Sequence, residues 1–337
     1  MLSSQELIKL RNLLEASQNP LFLFDNDADG LCSFLILKKA LDRGKGSIVK
    51  AFPEIDASYL RKADEFNSDL IVVLDYGMLG KDFIEGAKEK NLEIVVIDHH
   101  EVPKIKEVNF FTSYPTKEPT SYICQKIFNQ QKSEWVSLVG CISDVYLPDY
   151  FENFVEDYPE LVNNKKDAMD ILFTTEIGKI AMMMNFGLKD TTTNIMKMIK
   201  FIESCNSPQD FLSESKENRY LHERFSKSME FLRKFASKAK HFEKVVLLEY
   251  SGAMSMSSEL SNILLQQNKS KLILVIYKRE NYCNVSMRGK NSKLILEKII
   301  KELPNVTGGG HAEACGARVP TDDLEKFKEM IFRLNES

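Results

Sequence analysis

Three aspartates occupy alternate positions in the segment Asp25-Asn26-Asp27-Ala28-Asp29-Gly30, directly after the apolar run 20–24. Alternate residues of an extended segment point to the same side, so these carboxylates can converge on a metal ion. Gly30 would let the chain turn tightly into a following helix. Taken alone, the segment could equally be an acidic turn or a helix N-cap. An EF-hand calcium loop is not expected, because no Glu follows at the required position and a strand precedes the run.

Two further apolar runs end in residues of similar chemistry. Run 70–74 is followed by Asp75, and run 92–97 is followed by Asp98-His99-His100. A lone Asp75 would usually be a cap. Open α/β sheets, however, place ligand sites at the C-terminal ends of their strands, so we expect the three strand ends to surround one site. Carboxylate oxygens and imidazole nitrogens suit Mn²⁺ or Mg²⁺, and the charge density predicts more than one cation.

The two consecutive histidines are expected to have different roles. Neighbouring residues of an extended segment point to opposite sides, so one imidazole would bind metal while the other faces the substrate. Asp98 could orient an imidazole through its N–H group. A fourth carboxylate, Asp144, follows the apolar segment 134–143 on or at the end of a predicted helix. A carboxylate there is costly to bury unless it is paired or bound to metal.

Two C-terminal segments carry groups that suit a phosphate. The run Thr307-Gly308-Gly309-Gly310-His311 could bring backbone N–H groups and His311 close to an anion, although three glycines more often form a flexible loop. Ser286-Met287-Arg288 ends a predicted strand, and an arginine there offers a two-pronged hydrogen-bond donor for phosphate.

The elements that must position these groups alternate between strand and helix. Hydrophobic periodicity predicts strands at 20–25, 48–52, 70–75 and 92–97, and helices at 4–17, 29–43, 57–66, 80–90, 119–131 and 134–143. This order predicts an α/β fold with a mostly parallel N-terminal sheet. Beyond a helical stretch at 150–240, strands are predicted at 245–250, 271–277, 282–288 and 315–319, with helices at 257–267, 292–302 and 321–334. We therefore expect a catalytic domain at 1–150, a helical connector at 151–240 and a smaller α/β domain at 241–337.

Composition limits the class of protein. The 337 residues are 43% hydrophobic and 28% charged, as in an ordinary globular protein. No apolar stretch is long enough for a membrane span, no signal peptide is evident, and the six cysteines are scattered, so we expect a cytoplasmic protein without membrane contact. Residues 215–337 hold 22 Lys and Arg against 15 Asp and Glu, whereas residues 1–214 hold 23 against 34. The basic part could face a polyanion, or the difference could reflect solvated surfaces only.

In this order, the Asp-x-Asp-x-Asp-Gly, strand-end Asp, Asp-His-His, Gly-x-x-x-Asp, Ser-x-Arg and Gly-Gly-Gly-His motifs resemble those of the DHH phosphoesterase superfamily with its C-terminal DHHA1 domain. The resemblance covers almost the whole chain and implies a two-Mn²⁺ phosphoesterase, with Mg²⁺ as an alternative metal. It implies five metal ligands, with Asp75 bridging the two ions: Asp27, Asp29, Asp75, His99 and Asp144. Many members have His at the position of Asp25, whereas RecJ-type nucleases commonly have Asp, so Asp25 is expected in the metal shell as well.

The resemblance also implies roles around the substrate. His100, beside the metals, would contact the scissile phosphate, and Asp98 is expected in the catalytic group with it. Arg288 and His311 resemble residues that hold the substrate phosphate or terminal nucleotide. The expected substrate-binding set is Ser286, Arg288, Gly308, Gly309, Gly310 and His311.

The favoured function is a RecJ-like exonuclease that hydrolyses single-stranded DNA or RNA by two-metal catalysis. The chain resembles the compact RecJ-like exonucleases and nanoRNases, since it has no length for the OB domain of long bacterial RecJ proteins. One alternative is a phosphoesterase for a short oligonucleotide, cyclic dinucleotide or nucleoside bisphosphate. Another is a catalytically silent, Cdc45-like replication scaffold. A replication or repair protein is therefore a candidate partner beside single-stranded nucleic acid.

Overall fold

A five-stranded parallel sheet organises the N-terminal part of the chain in the computed structural model, which describes residues 1–51, 53–252 and 255–336. The strands are β1 (Pro20–Phe24), β2 (Lys45–Ile48), β3 (Leu70–Leu74), β4 (Glu93–Asp98) and β5 (Asn109–Thr112), in the order β2-β1-β3-β4-β5. Both β1 and β3 are buried along their whole length. Continuous apolar runs of this kind are typical of parallel strands that are covered on both faces.

Among the described residues, six α-helices lie in the part of the chain that forms this sheet, and seven more follow it without an intervening strand. The first six are α1 (Ser4–Ala16), α2 (Ala28–Leu41), α3 (Leu60–Phe66), α4 (Lys81–Glu89), α5 (Thr120–Phe128) and α6 (Glu134–Ser143). The next seven are α7 (Phe151–Asp157), α8 (Pro159–Val162), α9 (Ala168–Thr174), α10 (Glu176–Leu188), α11 (Thr192–Ser204), α12 (Pro208–Leu212) and α13 (Arg219–Ala236). The predicted helical stretch at 150–240 is therefore confirmed, apart from its last residues.

The structure corrects one predicted strand in this part and adds a strand. The second strand ends at Ile48, where the prediction began it, and β5 was not predicted at all. Both lie at the edges of the sheet. An edge strand needs no continuous apolar run, so hydrophobic periodicity detects it poorly.

A six-stranded mixed sheet forms the C-terminal part. Its strands are β6 (Lys240–His241), β7 (Val245–Tyr250), β8 (Leu272–Lys278), β9 (Tyr282–Arg288), β10 (Thr307–His311) and β11 (Ala314–Pro320), in the order β10-β11-β9-β8-β7-β6. Its helices are α14 (Ser257–Gln267), α15 (Ser292–Glu302) and α16 (Leu324–Glu336). Strands β8 and β9, both predicted, pair antiparallel and form a hairpin. A core that includes Leu274, Val285, Ile299 and Phe327 joins this sheet to α15 and α16.

The chain divides into two compact units, Met1–Phe225 and Ser226–Ser337. The α/β class with a parallel N-terminal sheet is thus confirmed, whereas the domain bounds 1–150, 151–240 and 241–337 stay predictions. All six cysteines are buried and unbridged. None of the helices described is both long and apolar enough to cross a bilayer.

Candidate functional site

The predicted strand ends do meet. Backbone bonds extend the sheet by one residue, because Asp25 N–H donates to Leu74 O at 3.1 Å and Asp75 N–H donates to Ile97 O at 2.9 Å. Parallel pairing of β1, β3 and β4 therefore brings the residues that follow them to one edge. Potential ligand atoms lie within 4.8 Å of one another in three groups: Asp25, Asp27 and Asp75; Asp29, His99 and Asp144; Asp75, His99 and His100.

The Asp25–Gly30 segment is shaped by the start of α2. Asp27 is the N-cap, and its Oδ1 accepts a hydrogen bond from Gly30 N–H at 2.9 Å. A Cβ on Gly30 would lie 2.7 Å from the carbonyl oxygen of Asp25, so only glycine permits this close approach. Asn185, on α10, accepts a hydrogen bond from Ala28 N–H at 2.8 Å and holds the same turn. The sequence analysis missed Asn185, and no local motif marks it.

Asp29 is fully buried and is held by the N-terminus of α5. The backbone N–H groups of Thr120 and Ser121 donate to its two oxygens at 2.7 and 3.0 Å. Gly140 allows α6 to pack here, since a Cβ at that position would lie 3.0 Å from Asp29 Oδ1. Helix N-termini attract carboxylates, so the Pro119-Thr120-Ser121 start of α5 was a signal that could have identified these partners.

Asp75 has both backbone strain and an unsatisfied oxygen. It is 1% exposed and has a left-handed φ of 61°, a conformation that costs energy for a residue other than glycine. Thr120 Oγ1 donates to its Oδ1 at 3.0 Å, whereas its Oδ2 is buried and has no hydrogen-bond donor among the described residues. A buried carboxylate oxygen without a donor is costly, and a divalent cation would satisfy it. The residues present therefore fit a metal at this position.

The two histidines lie side by side. His99 Nε2 is 3.1 Å from Asp144 Oδ2 and 3.3 Å from Asp75 Oδ1. His100 Nδ1 is 2.8 Å from Asp98 Oδ1, so Asp98 orients this imidazole as expected. The ring centroids are only 4.3 Å apart, and the expectation that the rings point to opposite sides is wrong. The reason is that β4 ends at Asp98, and the alternation of a strand does not extend into the turn that follows.

The electrostatics of the site favour added positive charge. Burial, together with the neighbouring Asp27, raises the pKa of Asp25 to about 7. Burial and the nearby Asp144 likewise raise the pKa of Asp29 to about 7. Burial opposes a charge on His99, yet its hydrogen bonds with Asp144 and Asp75 raise its pKa to about 12. Burial of the carboxylates is thus the largest cost of the site and their mutual repulsion adds to it, and bound cations would offset both.

Asp144 lies where the sequence analysis expected it, as the C-cap of α6. The site therefore brings together six of the predicted residues, which we call the carboxylate–histidine cluster: Asp25, Asp27, Asp29, Asp75, His99 and Asp144. Their roles as metal ligands stay predictions.

Arg288, in the C-terminal unit, ends β9 and is largely enclosed. Its guanidinium donates to Asn262 Oδ1 at 2.9 Å, to Ser258 Oγ at 3.3 Å and to Met287 O at 2.9 Å. Burial lowers its pKa, and the nearby Glu259 opposes this effect without outweighing it. A buried guanidinium held by neutral partners is suited to binding an anion.

The glycine run is a strand rather than the expected loop. Residues Gly308–Gly310 lie in β10 and pair antiparallel with Gly316, Ala317 and Cys315 of β11, which uses part of their backbone hydrogen-bonding capacity. Ser286 pairs with Gly316 on the next strand. The side chain of His311 lies outside the described residues, and its role at the substrate stays a prediction.

Comparisons with known proteins agree with this architecture. The DHH family N-terminal domain matches residues 21–146 and the DHHA1 domain matches residues 242–337. An exonuclease RecJ bound to manganese superposes with a TM-score of 0.65 at 18% identity, covering 98% of this chain and 94% of that one. No curated protein matches the chain by sequence.

Two other solved structures share the fold over nearly their whole length. The pGpG-specific phosphodiesterase PggH from Vibrio cholerae has a TM-score of 0.54 at 13% identity, covering 95% of this chain and 99% of that one. CDC45 from Entamoeba histolytica has a TM-score of 0.55 at 9% identity, covering 99% of each chain. At such low identity these likenesses establish the fold alone. The two domain matches show that the chain belongs to the DHH family, with the phosphoesterase fold of that family and a C-terminal DHHA1 domain.

Proposed function

We propose that the protein is a metal-dependent phosphodiesterase that removes nucleotides from the end of single-stranded DNA or RNA, as a RecJ-like exonuclease. The observation that carries this proposal is the carboxylate–histidine cluster. In it, burial and neighbouring acidic groups raise the pKa of the aspartates, and Asp75 Oδ2 has no donor among the residues that the structure describes. A cluster of this kind is costly unless cations bind to it.

Two groups of residues would hold two Mn²⁺ ions. Asp25, Asp27 and Asp75 form one set, and Asp29, His99 and Asp144 form the other. Asp75 would take part in both sets, since its Oδ1 also lies 3.3 Å from His99 Nε2. Bound divalent cations would lower the pKa of a water molecule and stabilise charge on the phosphate.

The remaining residues would orient the substrate. Asp98 fixes the ring of His100 through the 2.8 Å contact between its Oδ1 and Nδ1, and this contact outweighs burial and raises the pKa of His100. The protonated ring would then donate a hydrogen bond to a phosphate oxygen of the bound substrate. Thr120 fixes the orientation of the Asp75 carboxylate by donating to Oδ1. In the C-terminal unit, Arg288, His311, Ser286 and the backbone of Gly308–Gly310 would bind a substrate phosphate or terminal nucleotide.

The test is digestion of single-stranded DNA and RNA of graded length, labelled at the 5′ or the 3′ end, with Mn²⁺ or with chelator. We expect stepwise shortening from one end with Mn²⁺ and no cleavage with chelator. Cleavage that persists in chelator would contradict the metal assignment, and internal cleavage would contradict the exonuclease assignment.

The same fold supports a small-substrate phosphoesterase as a second candidate. The phosphodiesterase PggH, whose stated substrate is the dinucleotide pGpG, matches over 99% of its length. Activity confined to the shortest oligonucleotides in the graded series would favour this candidate. A Cdc45-like scaffold would cleave none of them with any metal.

A further inference from the structure

Val145 has an unusual backbone conformation beside the carboxylate–histidine cluster. Ten non-glycine residues among those described have a positive φ, and nine of them are Asn, Asp or Lys. Val145, with a φ of 56°, is the only β-branched residue in this set. A left-handed conformation crowds Cβ against the following carbonyl, and a β-branched side chain is a genuine outlier there.

The conformation belongs to the turn that ends α6. Tyr146 N–H donates to Cys141 O at 2.9 Å and Val145 N–H donates to Ile142 O at 3.0 Å, with Asp144 as the C-cap. This is the Schellman pattern, in which the residue after the C-cap is usually glycine. The turn places Asp144, but glycine or asparagine would form the same turn with less strain. The turn alone therefore does not account for valine.

Burial within the chain does not account for valine either. Its side chain is among the exposed large hydrophobic groups, at 37% exposure, whereas Ile142 one turn earlier is fully buried. An exposed isopropyl group gains little from its neighbours to offset the strain. Strain that persists at a residue next to a candidate metal ligand is typical of a functional contact.

We propose that the Val145 side chain packs against the nucleobase of the nucleotide whose phosphate lies at the carboxylate–histidine cluster. The inference rests on the proposed function. Val145 directly follows Asp144, so the two Cα atoms are about 3.8 Å apart and a nucleotide bound through its phosphate at Asp144 has its base within reach. An isopropyl group offers no hydrogen bond to a phosphate, and the flat face of a base is the apolar surface that it can cover.

The test compares Val145→Gly with the wild type on two single-stranded oligonucleotides in Mn²⁺. One has normal ends, and the other has an abasic residue at whichever end the wild type attacks. We expect Val145→Gly to lower kcat/KM about five- to twenty-fold on the normal strand and to leave the abasic strand unchanged, as expected for lost burial of two methyl groups. Metal content should not change, and Tm should rise by about 2–4 °C because the strain is relieved.

Two further variants separate the effect of losing the side chain from the effect of relieving the backbone strain. Val145→Ala removes the methyl groups and keeps much of the strain, so it should lose activity on the normal strand without the gain in Tm. Asn129→Gly makes the corresponding change at the left-handed cap of α5, where φ is 46°, and should not alter kcat/KM.

An unchanged kcat/KM on the normal strand, or an equal loss on both strands, would overturn the proposed contact. Failure of the proposed function would be a different result, since the wild type itself would then cleave neither strand. In that case the same comparison is made by binding of the two strands, and equal affinities for the wild type and Val145→Gly would again overturn the contact.

Discussion

The pKa values of carboxyl groups are shifted in opposite directions in the two units. In the N-terminal unit, burial and neighbouring acidic groups raise the pKa of Asp25 and Asp29 to about 7. In the C-terminal unit, burial would raise the pKa of Glu249, but its contacts with Lys278 and Lys328 outweigh this and lower it. Glu249 has its counter-charges within the chain, whereas the carboxylate–histidine cluster has an excess of negative groups.

This difference separates a structural carboxylate from a functional one. A structural carboxylate has its donors supplied by the fold, and removing it lowers stability. The carboxylates of the cluster repel one another, and one oxygen of Asp75 has no donor among the described residues. Removing such a group is expected to lower function while stability is kept or gained.

The largest effect is expected from Asp75→Asn. Asp75 would take part in both sets of metal ligands. Loss of its negative charge should therefore lower kcat by about 10³-fold or more, as for removal of a strong transition-state-stabilising group. In metal-free buffer the variant should unfold at the same or a higher Tm, because burial and the neighbouring Asp29 and Asp27 disfavour the charged form of Asp75 and raise its pKa. Steady-state kinetics in Mn²⁺ and thermal unfolding in chelator measure the two effects.

Asp69, at the other end of β3, is the matched control. It accepts hydrogen bonds from Ser17 Oγ at 2.5 Å, Gln18 N–H at 2.7 Å and Asn19 N–H at 3.1 Å. Asp69→Asn should therefore lower the free energy of unfolding by about 0.5–1.5 kcal/mol, because the residue is exposed, and leave kcat unchanged. If both variants lost stability and kept activity, the distinction between the two kinds of carboxylate would fail.

The two histidines give the next largest effect. His100→Ala should lower kcat by about 10²–10³-fold, because a donor to the phosphate is lost, while Mn²⁺ binding is largely retained. His99→Ala should reduce Mn²⁺ binding itself, since His99 lies between Asp75 and Asp144. Calorimetric titration with Mn²⁺ distinguishes the variants, and equal loss of binding in both would remove the division of roles between these adjacent rings.

Most of this site could be predicted from the sequence, because the residues with metal-binding side chains directly follow the predicted strands. Asp25, Asp75 and Asp98 each follow a continuous apolar run, and parallel pairing then requires that they meet. The sequence did not predict the tilt of His99 toward His100, because that depends on the turn after β4. Nor did it identify Asn185, which reaches the cluster from a helix about 157 positions away in sequence. The strand formed by Gly308–Gly310 depends on its partner β11, which no local preference of glycine indicates.

A smaller effect is expected in the C-terminal unit. Arg288→Ala should lower kcat/KM about ten- to hundred-fold, since one charge-assisted phosphate contact is worth about 1.5–3 kcal/mol. Mn²⁺ content should stay unchanged, because Arg288 is held by Ser258 and Asn262 rather than by carboxylates. Arg288→Lys should restore only part of the activity, as lysine cannot form the two-pronged contact. Full activity of Arg288→Ala would mean that this residue is structural.

The smallest effect concerns the pH dependence of Glu249. Its Oε1 accepts from Lys328 Nζ at 2.9 Å, and Lys278 contacts its other oxygen. Because the folded-state pKa is lowered, the pair contributes stability above the unfolded pKa of about 4.3, and this contribution is lost as pH falls through the lower folded value. Glu249→Gln should therefore lower the free energy of unfolding at pH 7 by only about 0.5 kcal/mol, because the group is partly exposed and screened by solvent. The difference from the wild type should vanish in acid, and high salt should reduce it at pH 7. A difference that instead grew as pH fell would show that Glu249 is stabilised in its protonated form, as the carboxylates of the cluster are, and the contrast between the two units would be lost.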